Sequence, residues 1–117
     1  MTPSVEIDCP ITEQAVTLEN ARLISRLEPF GMCNEKPIFA IASAEVSAVS
    51  AVGAGNKHLR LRIAKNGLFM NCIGFGMGEL AATLARGDTI HIAFQMDINS
   101  YQGTDSVQLV IKDIKKR

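Results

Sequence analysis

The stretch Lys57-His58-Leu59-Arg60-Leu61-Arg62-Ile63 alternates without a break, apolar at 59, 61 and 63 and polar at 58, 60 and 62. A period of two sends successive side chains to opposite faces of a strand. The three aliphatics therefore share one face, and the histidine and two arginines share the other. Asn66-Gly67 follows, a pair suited to the two-residue turn of a hairpin. Leu68–Phe75 is the returning strand, with its inward face undecided between the two parities. A hairpin that is apolar on one side must bury that side, and the flanking segments supply the rest of a sheet.

Residues Ile38–Val52 are rich in Ile, Val, Ala and Ser and form one long strand. Its apolar parity shifts near Ser47–Ser50, which predicts a bulge or bend there. Gly53-Ala54-Gly55-Asn56 reads as a turn. Gly76-Met77-Gly78 leads into a short helix, Glu79–Ala85, closed by Gly87. Thr89–Asn99 alternates again, with Ile90, Ile92, Phe94, Met96 and Ile98 inward. Ser100-Tyr101-Gln102-Gly103 turns the chain, Val107, Leu109 and Ile111 mark the last strand, and Lys115-Lys116-Arg117 is a basic tail. The order β-β-β-α-β-β predicts a mainly β fold: a five-stranded OB-fold Greek-key barrel with a short helix between strands three and four. A meander or an SH3-like barrel would not need the helix at 79–85.

Residues 1–36 read as a separate N-terminal piece and 37–117 as the barrel. A strand is expected at Ser4–Asp8. Thr17 is a helix N-cap, with Leu18, Ala21, Leu23, Ile24 and Leu27 at helical spacing. The helix ends by Glu28, because proline at 29 disfavours helix in the residue before it. A turn-rich connector, Pro29–Pro37, completes this piece, and Phe30, Met32 and Phe39 are expected to pack it onto the barrel.

Composition removes several function classes. The formal net charge is zero, split as −3 over residues 1–36 and +3 over 37–117, a mild hint of an anionic partner for the second part. Tryptophan is absent and Tyr101 is the one tyrosine, which argues against a binder built mainly on aromatic stacking. Cys9, Cys33 and Cys72 form no C-x-x-C pair, so neither a zinc site nor a disulfide framework is expected. Asp88, Asp97, Asp105 and Asp113 are scattered with no histidine in ligand spacing, His91 reads as a packed or surface histidine, and no nucleophile motif is present. Gly74-Phe75-Gly76-Met77-Gly78 lacks the Lys-Ser/Thr of a phosphate loop and reads as tight-turn glycines, with backbone contact to a phosphate at the helix start left open. No signal peptide or 18-residue apolar run is seen, which predicts a cytoplasmic chain without membrane contact.

The binding candidates are Lys57, His58, Arg60, Arg62 and Lys65, with Asn56 and Tyr101 at loop ends. Strand neighbours two apart lie about 6.5–7 Å from one another, close to the phosphate spacing of an extended single strand. Strands two and three of an OB barrel and the loops beside them are the usual ligand face. Lys112 and the basic tail are further candidates. The plainer alternative is a solvated outer face charged for solubility.

The segment Leu27-Glu28-Pro29-Phe30-Gly31-Met32-Cys33-Asn34 with Pro37-Ile38-Phe39 resembles the Leu-Glu-Pro-Phe-Gly-Met-Gly-Asn…Pro-x-Phe signature of RecJ-type single-strand-specific exonucleases. Lys57–Arg62, Ile73–Gly78, Asp97–Gly103 and Val107–Ile114 continue the resemblance in order, over roughly residues 17–114. Cys33 stands where that signature has glycine, so the connector's shape is expected to differ. The resemblance implies the C-terminal OB domain of a 5′→3′ exonuclease of DNA repair and recombination, with the end of the domain before it. It further implies a grip on single-stranded DNA and catalytic domains as partners, where an Asp-His-His core holds manganese or magnesium. No such motif occurs in this chain, so it should be non-catalytic and carry no cofactor. The alternatives are a docking barrel that positions the catalytic domains or a partner and, less favoured, an independent small enzyme.

Overall fold

The computed structural model describes residues 9–10, 13–25 and 37–117. The strand expected at Ser4–Asp8, the helix end at Glu28, the connector Pro29–Pro37 except its last residue, and the Cys33 position lie outside them. A two-residue strand β1 (Cys9–Pro10) precedes helix α1 (Leu18–Ser25), followed by β2 (Phe39–Val52), β3 (His58–Lys65), β4 (Leu68–Gly74), β5 (Thr89–Tyr101) and β6 (Thr104–Lys116). Neighbours run β1-β2-β3-β4-β6-β5, and β2 also pairs with β5, which closes β2–β6 into a five-stranded barrel. Closure leaves these strands without the long unpaired edges of an open sheet. This is the expected OB architecture.

Strand β2 closes the barrel by serving two neighbours. Its residues 39–45 pair with β5 and its residues 45–52 with β3. Register shifts fall between Ile41 and Ala44 and between Val46 and Ala48. The shift around Ser47 is the irregularity that the parity change predicts, and an additional one lies earlier, where Ser43 adopts φ 57°. The seam is held where Val46 N–H donates to Asp88 O (2.8 Å) and Gly87 N–H to Val46 O (2.8 Å).

The core is the inner face of all five strands. Phe94, Ile41, Leu59, Leu61, Ile63, Ile90, Ile92, Leu109 and Val46 are fully buried, so the inward parity of β3 and of most of β5 is the expected one. Ile98 is only partly buried. Ala93 is buried beside its neighbours because the β5–β6 register shifts between Ala93 and Phe94. Cys72 is buried in this core, and burial pushes its thiol up to about 12.

Thr17 caps α1 as expected: its Oγ1 accepts the Asn20 N–H at 3.1 Å. Among the described side chains of α1, Ala21 is buried against the barrel, whereas Leu23 is half exposed because it lies on the opposite side of the turn. The helix expected at 79–85 is a 3₁₀ segment, Gly78–Ala82. Gly78 N–H donates to Lys57 O (2.9 Å) at its start, and one α-type bond, Leu84 N–H to Leu80 O (2.9 Å), follows it before Ala85 N–H turns to Asp88 Oδ2 (2.8 Å). Gly78 also admits no side chain, since a Cβ there would sit 1.9 Å from Asn56 O. No helix among the described residues is long and apolar enough to cross a membrane.

Candidate nucleic-acid interface

The turn between β3 and β4 decides what the outer face carries. Asn66 (φ 51°) and Gly67 (φ 81°) form a two-residue loop, so Lys65 pairs with Leu68, Ile63 with Met70 and Leu61 with Cys72. Met70 and Cys72 must then face the core with the β3 aliphatics. Phe69, Asn71, Ile73 and Phe75 are thrown to the outside, beside Arg60 and Arg62. Arg60 lies across from Ile73 and Arg62 from Asn71.

Both arginines are exposed, and neither forms an ion pair with a described residue. The Arg62 guanidinium lies over the Phe69 ring, 4.6 Å from its centroid, a cation–π contact that holds the cation in place without neutralising it. Phe69 and Phe75 are 56% and 62% exposed and Tyr101 is 70% exposed. Large aromatic faces left this open have no packing role within the barrel.

Strands β5 and β6 extend beyond the barrel as an arm, turning at Gln102-Gly103, and residues 99–106 are exposed along both strands. The arm leans over the outer face. It closes a groove of about 720 Å³ lined by Arg60, Asn71, Asn99, Tyr101, Ser106 and Gln108, among other residues. A second hollow, about 330 Å³, runs on past Arg60, Asn71 and Arg62 to Ser50 on β2. Surface hydrogen bonds hold the arm. Asp105 accepts from the Ser100 hydroxyl (2.6 Å) and from the Arg22 guanidinium on α1 (3.3 Å). Those two partners, Ser100 first, hold its carboxyl below the ordinary value of 3.8.

The candidate residues therefore divide. Arg60, Arg62 and Tyr101 come together along the two hollows. Lys57 is exposed at the entry to β3, and its carbonyl is taken by Gly78. His58 is half buried: its Nδ1 accepts the Gly76 N–H at 3.0 Å, and its ring meets Phe75 edge-on at 5.5 Å. Lys65 falls on the inner parity of β3 and donates its Nζ to the Ala42 carbonyl, away from the arginine row. Lys112 is exposed on β6 at the register shift opposite Ala93 and Phe94. Asn56 is an exposed loop residue at φ 54°. The glycine loop 74–78 spends its N–H groups internally: Gly76 on His58, Met77 on Gly74 and Gly78 on Lys57. This is the tight turn read from its glycines. His91 has the same role as His58, its Nδ1 accepting the Ser43 N–H at 3.0 Å.

Phe69, Phe75, Asn71 and Gln108 were not among the candidates. The signal for the first three was present: a two-residue Asn-Gly turn fixes the β4 parity once the β3 parity is known.

Comparison with known proteins matches residues 7–113 to the family described as the RecJ OB domain. The chain is 32% identical over 111 residues to the single-stranded-DNA-specific exonuclease RecJ of Bacillus subtilis (strain 168), covering 95% of this chain and 14% of that protein. Among solved structures it is similar to RecJ of Thermus thermophilus in complex with Mn2+, with a TM-score of 0.70 and 23% identity over 97% of this chain and 16% of that one. It is also similar to the second single-stranded-DNA-binding protein of Mycobacterium smegmatis, with a TM-score of 0.58 and 18% identity over 68% of this chain and 84% of that one.

Proposed function

The chain belongs to the RecJ OB domain family, and from that premise we propose that it grips single-stranded DNA as the non-catalytic module of a RecJ-like 5′→3′ single-strand-specific exonuclease. One observation carries the reading. Two exposed arginines, unpaired among the described residues, alternate along β3 beside a groove that the exposed Tyr101 ring lines, and the exposed Phe69 ring lies under Arg62 on the same face.

Single-strand binders without sequence preference combine a cationic track for the backbone with rings on which bases stack. Arg60 and Arg62, about 6.5–7 Å apart along the strand, take successive phosphates. Phe69, Phe75 and Tyr101 offer open faces to bases, each stack contributing about 1–3 kcal/mol. Stacking thus carries more of the binding than a composition poor in tyrosine and tryptophan suggests, because phenylalanines supply it.

Hydrolysis belongs to catalytic domains outside this chain, which spans 14% of the Bacillus subtilis relative's length. Among the described residues no group of three or more His, Cys, Asp or Glu could hold a metal ion. They do not fit a catalytic Mn or Mg centre. The partners are single-stranded DNA and those catalytic domains, and the setting is cytoplasmic DNA repair.

The test is fluorescence anisotropy of labelled oligo-dT at low and moderate salt, with an Arg60→Ala/Arg62→Ala double variant alongside. Each phosphate contact adds about −0.7 to the slope of log K against log salt, so losing two should flatten it by about 1.4 and weaken binding. A second reading, a docking barrel for the catalytic domains or a partner, draws on the exposed apolar pair Leu68 and Phe69 at the β3–β4 turn. Oligo-dT that fails to bind a folded sample at low salt would favour it.

A further inference from the structure

The groove is chemically two-sided. On β3 it presents the guanidinium of Arg60, and Arg62 continues that side. Across β4 and toward the arm it presents carboxamides: Asn71, then Gln108, then Asn99, with the hydroxyl of Ser106 among them. The β4–β6 pairing sets Cys72 opposite Leu109, which brings Asn71 and Gln108 alongside one another on the outer face. None of the three amides is committed to a side-chain hydrogen bond with a described residue. Asp97 is the direct partner of Gln108 on β5, and Asp105 sits on the arm, ion-paired with Arg22 at 3.3 Å.

A nucleotide entering such a groove has one favourable way round. Its phosphate is attracted to the arginine side, where two guanidiniums stand without an ion-pair partner among the described residues. Its base must then point across β4 toward the amides. Each amide offers a donor and an acceptor together, the complement of a base's hydrogen-bonding edge, and splayed single-stranded bases are read on those edges. Resting on the single-strand reading above, we propose that Asn71, Gln108 and Asn99 form an edge-reading pocket for a nucleobase. Binding then depends on what the base edge carries, beyond its stacking face and the phosphate charge.

The test compares oligo-dT with its N3-methylated counterpart, and oligo-dC with its N4,N4-dimethyl counterpart, by anisotropy on the full chain. These modifications keep the rings and the phosphates and block the edge. Methylation at one or both bases should weaken binding about five- to tenfold, the size of a lost hydrogen-bonded pair. An Asn71→Ala/Gln108→Ala variant should bind blocked and unblocked strands alike. Arg60→Ala/Arg62→Ala should weaken both and keep their ratio. If wild type binds unblocked strands in a salt-sensitive way but ignores methylation at both bases, or if the amide variant still discriminates, the pocket is overturned and the single-strand reading stands. If no strand binds at low salt, both fall.

Discussion

The β3–β4 hairpin turns at Asn66-Gly67 and the β5–β6 hairpin at Gln102-Gly103, each through two residues of positive φ (51° and 81°; 51° and 79°). Behind the first turn, Ile63 and Met70 are buried two pairs from the tip. Behind the second, residues 99–106 are exposed throughout, and burial resumes only partly at Ile98 and Val107. The first hairpin is a wall of the barrel, held by apolar area removed from water. The second is an arm, held at its root by the core and along its length by Ser100, Asp105 and Arg22. One turn chemistry thus serves a rigid wall that positions cations and an overhang that shapes the groove. What sits behind the turn makes the difference.

The largest effect should come from the wall. Leu61→Ala removes a fully buried side chain and leaves a cavity, so it should cost about 2–5 kcal/mol in urea unfolding. Tyr101→Ala on the arm should change that stability by less than about 0.5 kcal/mol. Comparable losses from the two would show that the arm packs against the barrel far more than its exposure indicates.

Next come the turns themselves. Alanine in a left-handed conformation costs about 1–2 kcal/mol, so Gly67→Ala and Gly103→Ala carry the same local strain. In Gly67→Ala it should appear in full as a shift of the global urea midpoint. In Gly103→Ala it should appear as faster amide hydrogen exchange within 99–106, with the midpoint nearly unmoved, because a poorly buried segment opens locally. Equal midpoint shifts would place the arm in the same cooperative unit as the wall.

The same contrast explains how much was legible in the sequence. Where one face is buried, alternation reports it directly. Leu59, Leu61 and Ile63 on β3, and Ile90, Ile92, Phe94 and Met96 on β5, read inward and are inward. Strand β4 was ambiguous because Leu68, Phe69, Met70, Cys72 and Ile73 place apolar residues on both parities, and only the turn register settles which are lost to solvent. That ambiguity hid Phe69, which lies under the Arg62 guanidinium, and Phe75, which meets His58. Lys65 looked like the end of a cation row because charge was read without parity. His58 looked like a surface ligand, and no local pattern shows that a neighbouring loop will bring it the Gly76 N–H. Nor can alternation describe the arm's lean, which gathers Tyr101, Asn99 and Gln108 over Arg60, since that depends on strands meeting far apart in sequence.

The smallest predicted effect lies in the arm's brace. Ser100 and Arg22 depress the Asp105 carboxyl, so this contribution is fully present above the unfolded value near 3.8 and is lost as pH falls through the lower folded value. Asp88 is also depressed, first by the Ala85 N–H and then by Lys116, and titrates in the same region at the barrel seam. The two can be separated because Tyr101 is the chain's one tyrosine and tryptophan is absent, so tyrosine fluorescence reports the arm alone. Tyr101 anisotropy should fall as pH is lowered through this window, before far-UV circular dichroism records loss of the barrel. Asp105→Asn should show the lower anisotropy already at neutral pH and no further step attributable to the arm. If the variant keeps the wild-type value and titrates as wild type does, the brace does not hold the arm. The overhang would then be fixed by its root in the core, as the β3–β4 wall is.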